Sequence, residues 1–210
     1  MELLTERYSK KIAGTISCYD RVIIQGILPG ICYAKGMTGY LYDNKIKILP
    51  EVLPIDGIRL GIAAMGDRYK GRPDLALIEL VESAKTSCVF TQNKFCAAPV
   101  SLAKSHVKTF RPRFLVINSG NANAGTGVAG DKAALSVCRA VAKNGSCRIE
   151  EVVPFSTGII GEPLNSELIV HSIPTAFSDL SSNKWLDAAG AIITTDTRIK
   201  ARSAQVYIGD

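Results

Sequence analysis

The passage from Phe114 to Lys143 constrains the fold more than any other part of the chain. A short apolar run, Phe114-Leu115-Val116-Ile117, enters a stretch of small and polar residues from Ser119 to Gly130. A stripe of Ala133, Ala134, Val137, Ala140 and Val141 follows, with Asn144-Gly145 as its stop. Apolar residues three and four apart put one face of a helix against a core, whereas the compact run before them fits a strand. The spacing therefore predicts a strand over Phe114 to Asn118, a polar loop, and a helix over Gly130 to Lys143. Loops held between such elements are where sites are commonly built.

Other runs extend the pattern. Gly57 to Ala64, Leu75 to Val81, Ser87 to Thr91 and Val152 to Phe155 are rich in β-formers and bounded by turn residues, so strands are expected there. A second helix is expected from Asn165 through Leu168, Ile169 and Ile173, and the apolar run Trp185 to Ile193 leads into Thr194-Thr195-Asp196-Thr197. Near the N-terminus, Arg21-Val22-Ile23-Ile24 reads as β-rich before the turn residues Gly26, Pro29 and Gly30. The class expected is α/β. Residues 1–48 form an unrecognised N-terminal segment, and residues 49–210 form the domain.

With 47% hydrophobic and 21% charged residues over 210 positions, the chain can bury a substantial core. No apolar run approaches the roughly 20 residues that cross a bilayer, so no membrane partner is expected. Met1 to Lys11 mixes charges and lacks the apolar stretch of a secretory signal, which points to a cytoplasmic location. The six cysteines, Cys18, Cys32, Cys88, Cys96, Cys138 and Cys147, form no C-x-x-C pair. No structural zinc site is read from them; free, mostly buried thiols are expected.

The formal charge of +6 raises the question of nucleic acid. Residues 1–48 carry seven Lys/Arg against four Asp/Glu, which leaves the same excess for the rest of the chain. That balance is diffuse. Lys104 to Arg113 is broken by apolar residues and reads as a solvated connecting face. Tyr33, Tyr40 and Tyr42, interleaved with Lys35 and Lys45, fit surface tyrosines better than base platforms. No nucleic-acid partner is expected.

Three segments are candidates for chemistry. In Asn118-Ser119-Gly120-Asn121-Ala122-Asn123-Ala124 the glycines lack the spacing of phosphate-binding loops. Asparagines there serve a turn, or hold backbone and substrate amides in a crowded site. Ser156-Thr157-Gly158-Ile159-Ile160-Gly161 is either a capped turn or a place where a threonine hydroxyl and a glycine amide meet a developing oxyanion. Thr194-Thr195-Asp196-Thr197 caps a helix or binds a polar substrate.

Taken in order, these segments resemble the N-terminal, α-chain portion of the ornithine acetyltransferase family, the bifunctional glutamate N-acetyltransferases of arginine biosynthesis. Gly57-Ile58-Arg59-Leu60-Gly61-Ile62, Val89-Phe90-Thr91-Gln92-Asn93 and Ala97-Ala98-Pro99-Val100 add to the resemblance, which runs from about Leu53 to the end. It implies the family's layered αββα fold, with its sheets completed by a second chain. It also implies acetyl transfer from N2-acetylornithine to glutamate, with acetyl-CoA accepted by some members. By residue match, Thr157 and Gly158 correspond to the oxyanion-hole pair and Thr194 to a substrate-binding threonine. No metal or organic cofactor is implied.

Family members cleave themselves at an Ala-Thr-Met-Leu-type sequence and assemble as heterotetramers, the freed threonine being the nucleophile. That motif does not occur in these 210 residues. The expectation is a truncated chain, inactive alone, whose partners are the small-molecule substrates and a β chain. The alternative is a non-catalytic α-like subunit or a decayed fragment that needs a separate β chain. A module at residues 1–48 joined to an enzyme fragment is the weaker third reading. Gly125 also departs from the pattern, since members commonly carry cysteine after the Asn-Ala-Asn-Ala run.

Overall fold

In the computed structural model the described residues are 52–66, 68–201 and 203, together with the strand β1 (Val22–Ile23). Apart from β1, residues 1–48 lie outside them, the tyrosine string, Cys18 and Cys32 included. The elements that follow are β2 (Ile58–Ala63), β3 (Leu75–Leu80), β4 (Lys85–Thr86), α1 (Ala98–Thr109), β5 (Phe114–Asn121), α2 (Gly127–Asn144), β6 (Val152–Ile159), α3 (Ser166–Ser178) and α4 (Trp185–Ala191). The α/β class is as expected.

Four strands form one mixed sheet in the order β2-β3-β5-β6. The β2–β3 and β3–β5 pairs are antiparallel and β5–β6 is parallel. A parallel pair needs a crossover, and α2 supplies it. A separate short ladder joins β1 to β4.

Alternation along the strands divides the core in two. Leu75 and Leu77 of β3, Phe114 and Val116 of β5 and Val152 of β6 face α2 and α3, where they meet Val137, Val141, Ile169 and Ile173. Ile58 and Leu60, Ala76 and Leu80, Leu115 and Ile117, and Val153 point the other way, toward Ala103 of α1 and Ala188 and Ala191 of α4. On this second face Ile62, Ile78 and Phe155 are only half-buried. A single sheet layer lies between the helices in the described residues.

The helices that patterning predicts are present. The first gains a turn at its start and runs Gly127–Asn144. Asn165 caps α3, its side chain accepting from the Leu168 N–H at 3.4 Å. Two expectations need correction. Ser87 to Thr91 is not a strand: its backbone pairs with no neighbour in the sheet, and Val89 is 95% exposed. Lys104 to Arg113 is not merely a solvated face, because its first half belongs to α1. There His106 is buried with Nδ1 2.7 Å from the Val152 carbonyl oxygen, and Lys104 Nζ donates to the Thr91 carbonyl at 3.0 Å.

The four described cysteines are free, but they are not mostly buried. Cys138 is buried, Cys96 and Cys147 are half-buried and Cys88 is exposed. Burial pushes the Cys138 thiol up to about 12 from 9.0. Cys147 rises to about 11 through burial and Glu151, against Arg113. A folded-state value above the unfolded one means the fold favours the protonated thiol. Its contribution is therefore full below pH 9 and lost as pH climbs toward 12. The thermal midpoint is expected to fall through that window, and Cys138→Ala is expected to flatten the fall; an identical pH profile in the variant would refute the linkage.

Candidate active site

The parallel ladder between β5 and β6 positions the candidate residues. Asn118 pairs with Ser156, Ser119 with Thr157 and Gly120 with Gly158, after which Asn121 pairs with both Thr157 and Ile159. The doubled partner marks a bulge, a common device for re-aiming a strand end. It is possible because Gly158 has φ +137° and lies so close to β5 that a Cβ would stand 2.3 Å from the Gly120 carbonyl carbon. No side chain fits there. Beyond the bulge the two loops stay joined, with Ala122 N–H donating to Ile159 O at 2.9 Å and Gly161 N–H to Ala124 O at 2.8 Å.

The asparagines hold backbone. Ser156 Oγ donates to Asn118 Oδ1 at 2.6 Å, and Asn118 Nδ2 donates to the Asn121 carbonyl at 2.9 Å. Asn121 Nδ2 reaches the carbonyls of Glu162 and Pro163 at 3.2 and 3.1 Å, while its Oδ1 accepts from the Asn123 N–H at 2.7 Å. Asn123, fully buried at φ +46°, donates Nδ2 to Gly130 O at 3.0 Å and accepts from Thr126 Oγ1 at 2.8 Å. Of the uses open to these residues, bracing the loop is the one seen.

Such a buried hub is costly to remove, because each stranded donor or acceptor keeps its desolvation penalty. Asn123→Ala is expected to destabilise the chain by about 1–3 kcal/mol, read as a lower urea midpoint. An unchanged midpoint would mean that the hub contributes nothing.

Thr157 and Gly158 end up half-buried at the C-terminal end of β6, where ligands gather in open α/β sheets. Ser156 is committed to Asn118, but among the described residues the hydroxyl of Thr157 has no hydrogen-bond partner, and neither has that of Thr194. Thr194 is half-buried just after α4. Its segment is tied to the same strand end, because Ser119 Oγ donates to Ala191 O at 2.7 Å. Arg72 Nη2 donates to Ile193 O at 2.5 Å from the β2–β3 loop. Neither this arginine nor Arg68, which pairs with Glu162, stands in any motif of the sequence.

Among the described residues no three His, Cys, Asp or Glu side chains gather as a metal site, and no helix is long and apolar enough to cross a membrane. The sequence pattern of the ArgJ family matches residues 59–210, well over half of the chain.

The chain belongs to the ArgJ family.

Its resemblance to individual ArgJ proteins agrees. The arginine biosynthesis bifunctional protein ArgJ of Psychrobacter arcticus is 47% identical over 165 residues, covering 79% of this chain and 40% of that protein. The protein of the same name from Methylococcus capsulatus is 50% identical over 158 residues, covering 75% and 38%. The chain thus spans about 40% of the length of the curated ArgJ relatives it matches. Among solved structures, ornithine acetyltransferase complexed with ornithine from Mycobacterium tuberculosis superposes with a TM-score of 0.64 at 32% identity, covering 69% of this chain and 79% of that one. The ArgJ protein of Bacillus halodurans gives 0.57 at 27% identity, covering 68% and 75%.

Proposed function

We propose that this chain supplies the α-chain half of an acetyltransferase site that moves an acetyl group from N2-acetylornithine to glutamate in arginine biosynthesis. Thr157, through its hydroxyl, and Gly158, through its amide, serve as the oxyanion hole, and Thr194 binds substrate. The observation that carries the reading is the contrast in hydrogen bonding around Thr157: beside it Ser156, Asn118, Ser119 and Asn121 are consumed in bracing, while its hydroxyl has no partner among the described residues. Uncommitted donors on a braced backbone are what oxyanion stabilisation requires, since nothing must reorganise as charge develops.

In this reading the nucleophilic threonine comes from a β chain outside these 210 residues. The half-buried Ile62, Ile78 and Phe155 on the second sheet face favour such a partner, because apolar side chains left partly in water gain from being covered. An oxyanion hole without its nucleophile performs no acyl transfer of this kind. These 210 residues alone are therefore expected to be inactive in that transfer; a cytoplasmic location, and no metal or organic cofactor, go with the arginine-biosynthesis reading. Acetyl-CoA is a second acetyl donor to be tried in the same assay.

The test is acetylglutamate formation from N-acetylornithine and glutamate, with the chain alone and with the chain co-expressed with the β segment of a full-length ArgJ relative. Activity only in the combination is expected. Activity of the chain alone would overturn the assignment of roles, and inactivity of the combination would favour the decayed-fragment reading.

A further inference from the structure

The loop at residues 68–72 touches both parts of the proposed site. Arg68 forms an ion pair with Glu162, just past the Thr157–Gly158 turn. Arg72 donates to the carbonyl of Ile193, the residue before Thr194, and its guanidinium carbon lies 3.7 Å from the centre of the Tyr69 ring. Between them Tyr69 and Arg68 lie over Gly120, so that a Cβ there would meet each at 3.3 Å. Gly120 is the residue against which Gly158 packs. One short loop therefore grips the oxyanion turn on one side and the Thr194 segment on the other, and it rests on the strand that links them.

We propose that loop 68–72 is a clamp that sets the spacing between the oxyanion turn and Thr194, with Arg72 as the positioning residue of Thr194. Arg72 acts through the Ile193 carbonyl and touches no reacting atom. A guanidinium suits such a role, because stacking on Tyr69 fixes its plane, and a fixed plane fixes where its N–H points. The two ties differ in strength. Both members of the Arg68–Glu162 pair are 40–47% exposed, where ion pairs are weak. The Arg72 bond is partly buried and bridges positions 121 apart in sequence. The clamp is therefore expected to hold Thr194 more firmly than the oxyanion turn. The role given to Thr194 rests on the acetyl-transfer reading; the clamp rests on geometry.

Hydrogen exchange on the 210-residue chain tests the clamp without any assay of activity. Arg72→Gln is expected to speed exchange of the hydrogen-bonded amides of residues 191–193 by about tenfold, the loss of one charge-assisted hydrogen bond, and to leave β3 and β5 unchanged. Arg68→Gln is expected to loosen residues 159–163 slightly and leave 191–193 alone. No change at 191–193 in Arg72→Gln would overturn the proposal, and so would uniform loosening of the sheet, which marks a merely structural role.

A kinetic arm separates the clamp from the acetyl-transfer reading. In the co-expressed pair, Arg72→Gln is expected to raise KM at nearly constant kcat, Arg72→Lys to recover part of the loss, and Arg72→Gln to add nothing to Thr194→Ala. Full additivity of the last two would sink the clamp. A Thr194→Ala variant with wild-type KM would sink the substrate-binding role of Thr194 and leave the exchange result standing.

Discussion

Thr157→Val, assayed in the co-expressed pair, is expected to lower kcat by about 10²–10³-fold with little change in KM, the signature of losing one oxyanion donor. Valine keeps the shape of threonine and removes only the hydroxyl. Because that hydroxyl makes no hydrogen bond among the described residues, its loss leaves no described partner stranded, and stability should hardly move. The comparison isolates the donor. Ser156→Ala is the matched control next door: it strands Asn118 Oδ1, so it is expected to reduce stability by more than Thr157→Val and kcat by less. Wild-type kcat in Thr157→Val would remove Thr157 from the mechanism, whereas equal losses of kcat and stability would make it a structural residue.

Gly61→Val is expected to be the most destabilising single change, at about 3 kcal/mol or more, the upper end of what overpacking costs. A Cβ at Gly61 would stand 1.9 Å from the Ala176 carbonyl oxygen, which is backbone and cannot swing aside. The contact lies where α3 crosses β2, and the strand is pinned on either side of it. Leu60 exchanges backbone hydrogen bonds with Ser181 at 2.8 and 2.9 Å, and the Ile62 N–H donates to Asp179 Oδ2 at 3.0 Å. Any side chain at position 61 must lift the helix off the sheet and break these bonds. Urea unfolding monitored by circular dichroism reads the shift directly. A midpoint close to wild type would show that α3 can withdraw at little cost.

How far the fold can be read from residues alone depends on what each element buries. Helix α2 is legible because its buried stripe, Ala134, Val137, Cys138 and Val141, is apolar at helical spacing. Helix α1 is not, because it buries Ala98, Pro99, Ala103 and His106, which are small or polar, among lysines that suggest a solvated face. The same logic governs the strand ends. Leu75 to Leu80 is apolar except for Glu79 and is expected almost to its true limits. Ser156 to Ile159 extends β6 only because Ser119, Gly120 and Asn121 stand beside it in parallel register, and nothing local in a serine, a threonine and a glycine specifies that. At Ser87 to Thr91 the β-rich composition is real, but propensity finds no strand to pair with among the described residues.

The candidate site divides along the same line. The order of Asn118 to Ala124, Ser156 to Gly161 and Thr194 to Thr197 is sufficient to point to the family, since three ordered motifs are far more specific than any one of them. By itself, the sequence determined the α/β class, the apolar faces of most elements and the ArgJ family, because these depend on periodicity and on motif order, which are properties of the linear chain. Only the tertiary structure decided that the asparagines brace backbone, that Gly158 lies against Gly120, and that Arg72 reaches Ile193, because each depends on a contact between residues that no local pattern brings together.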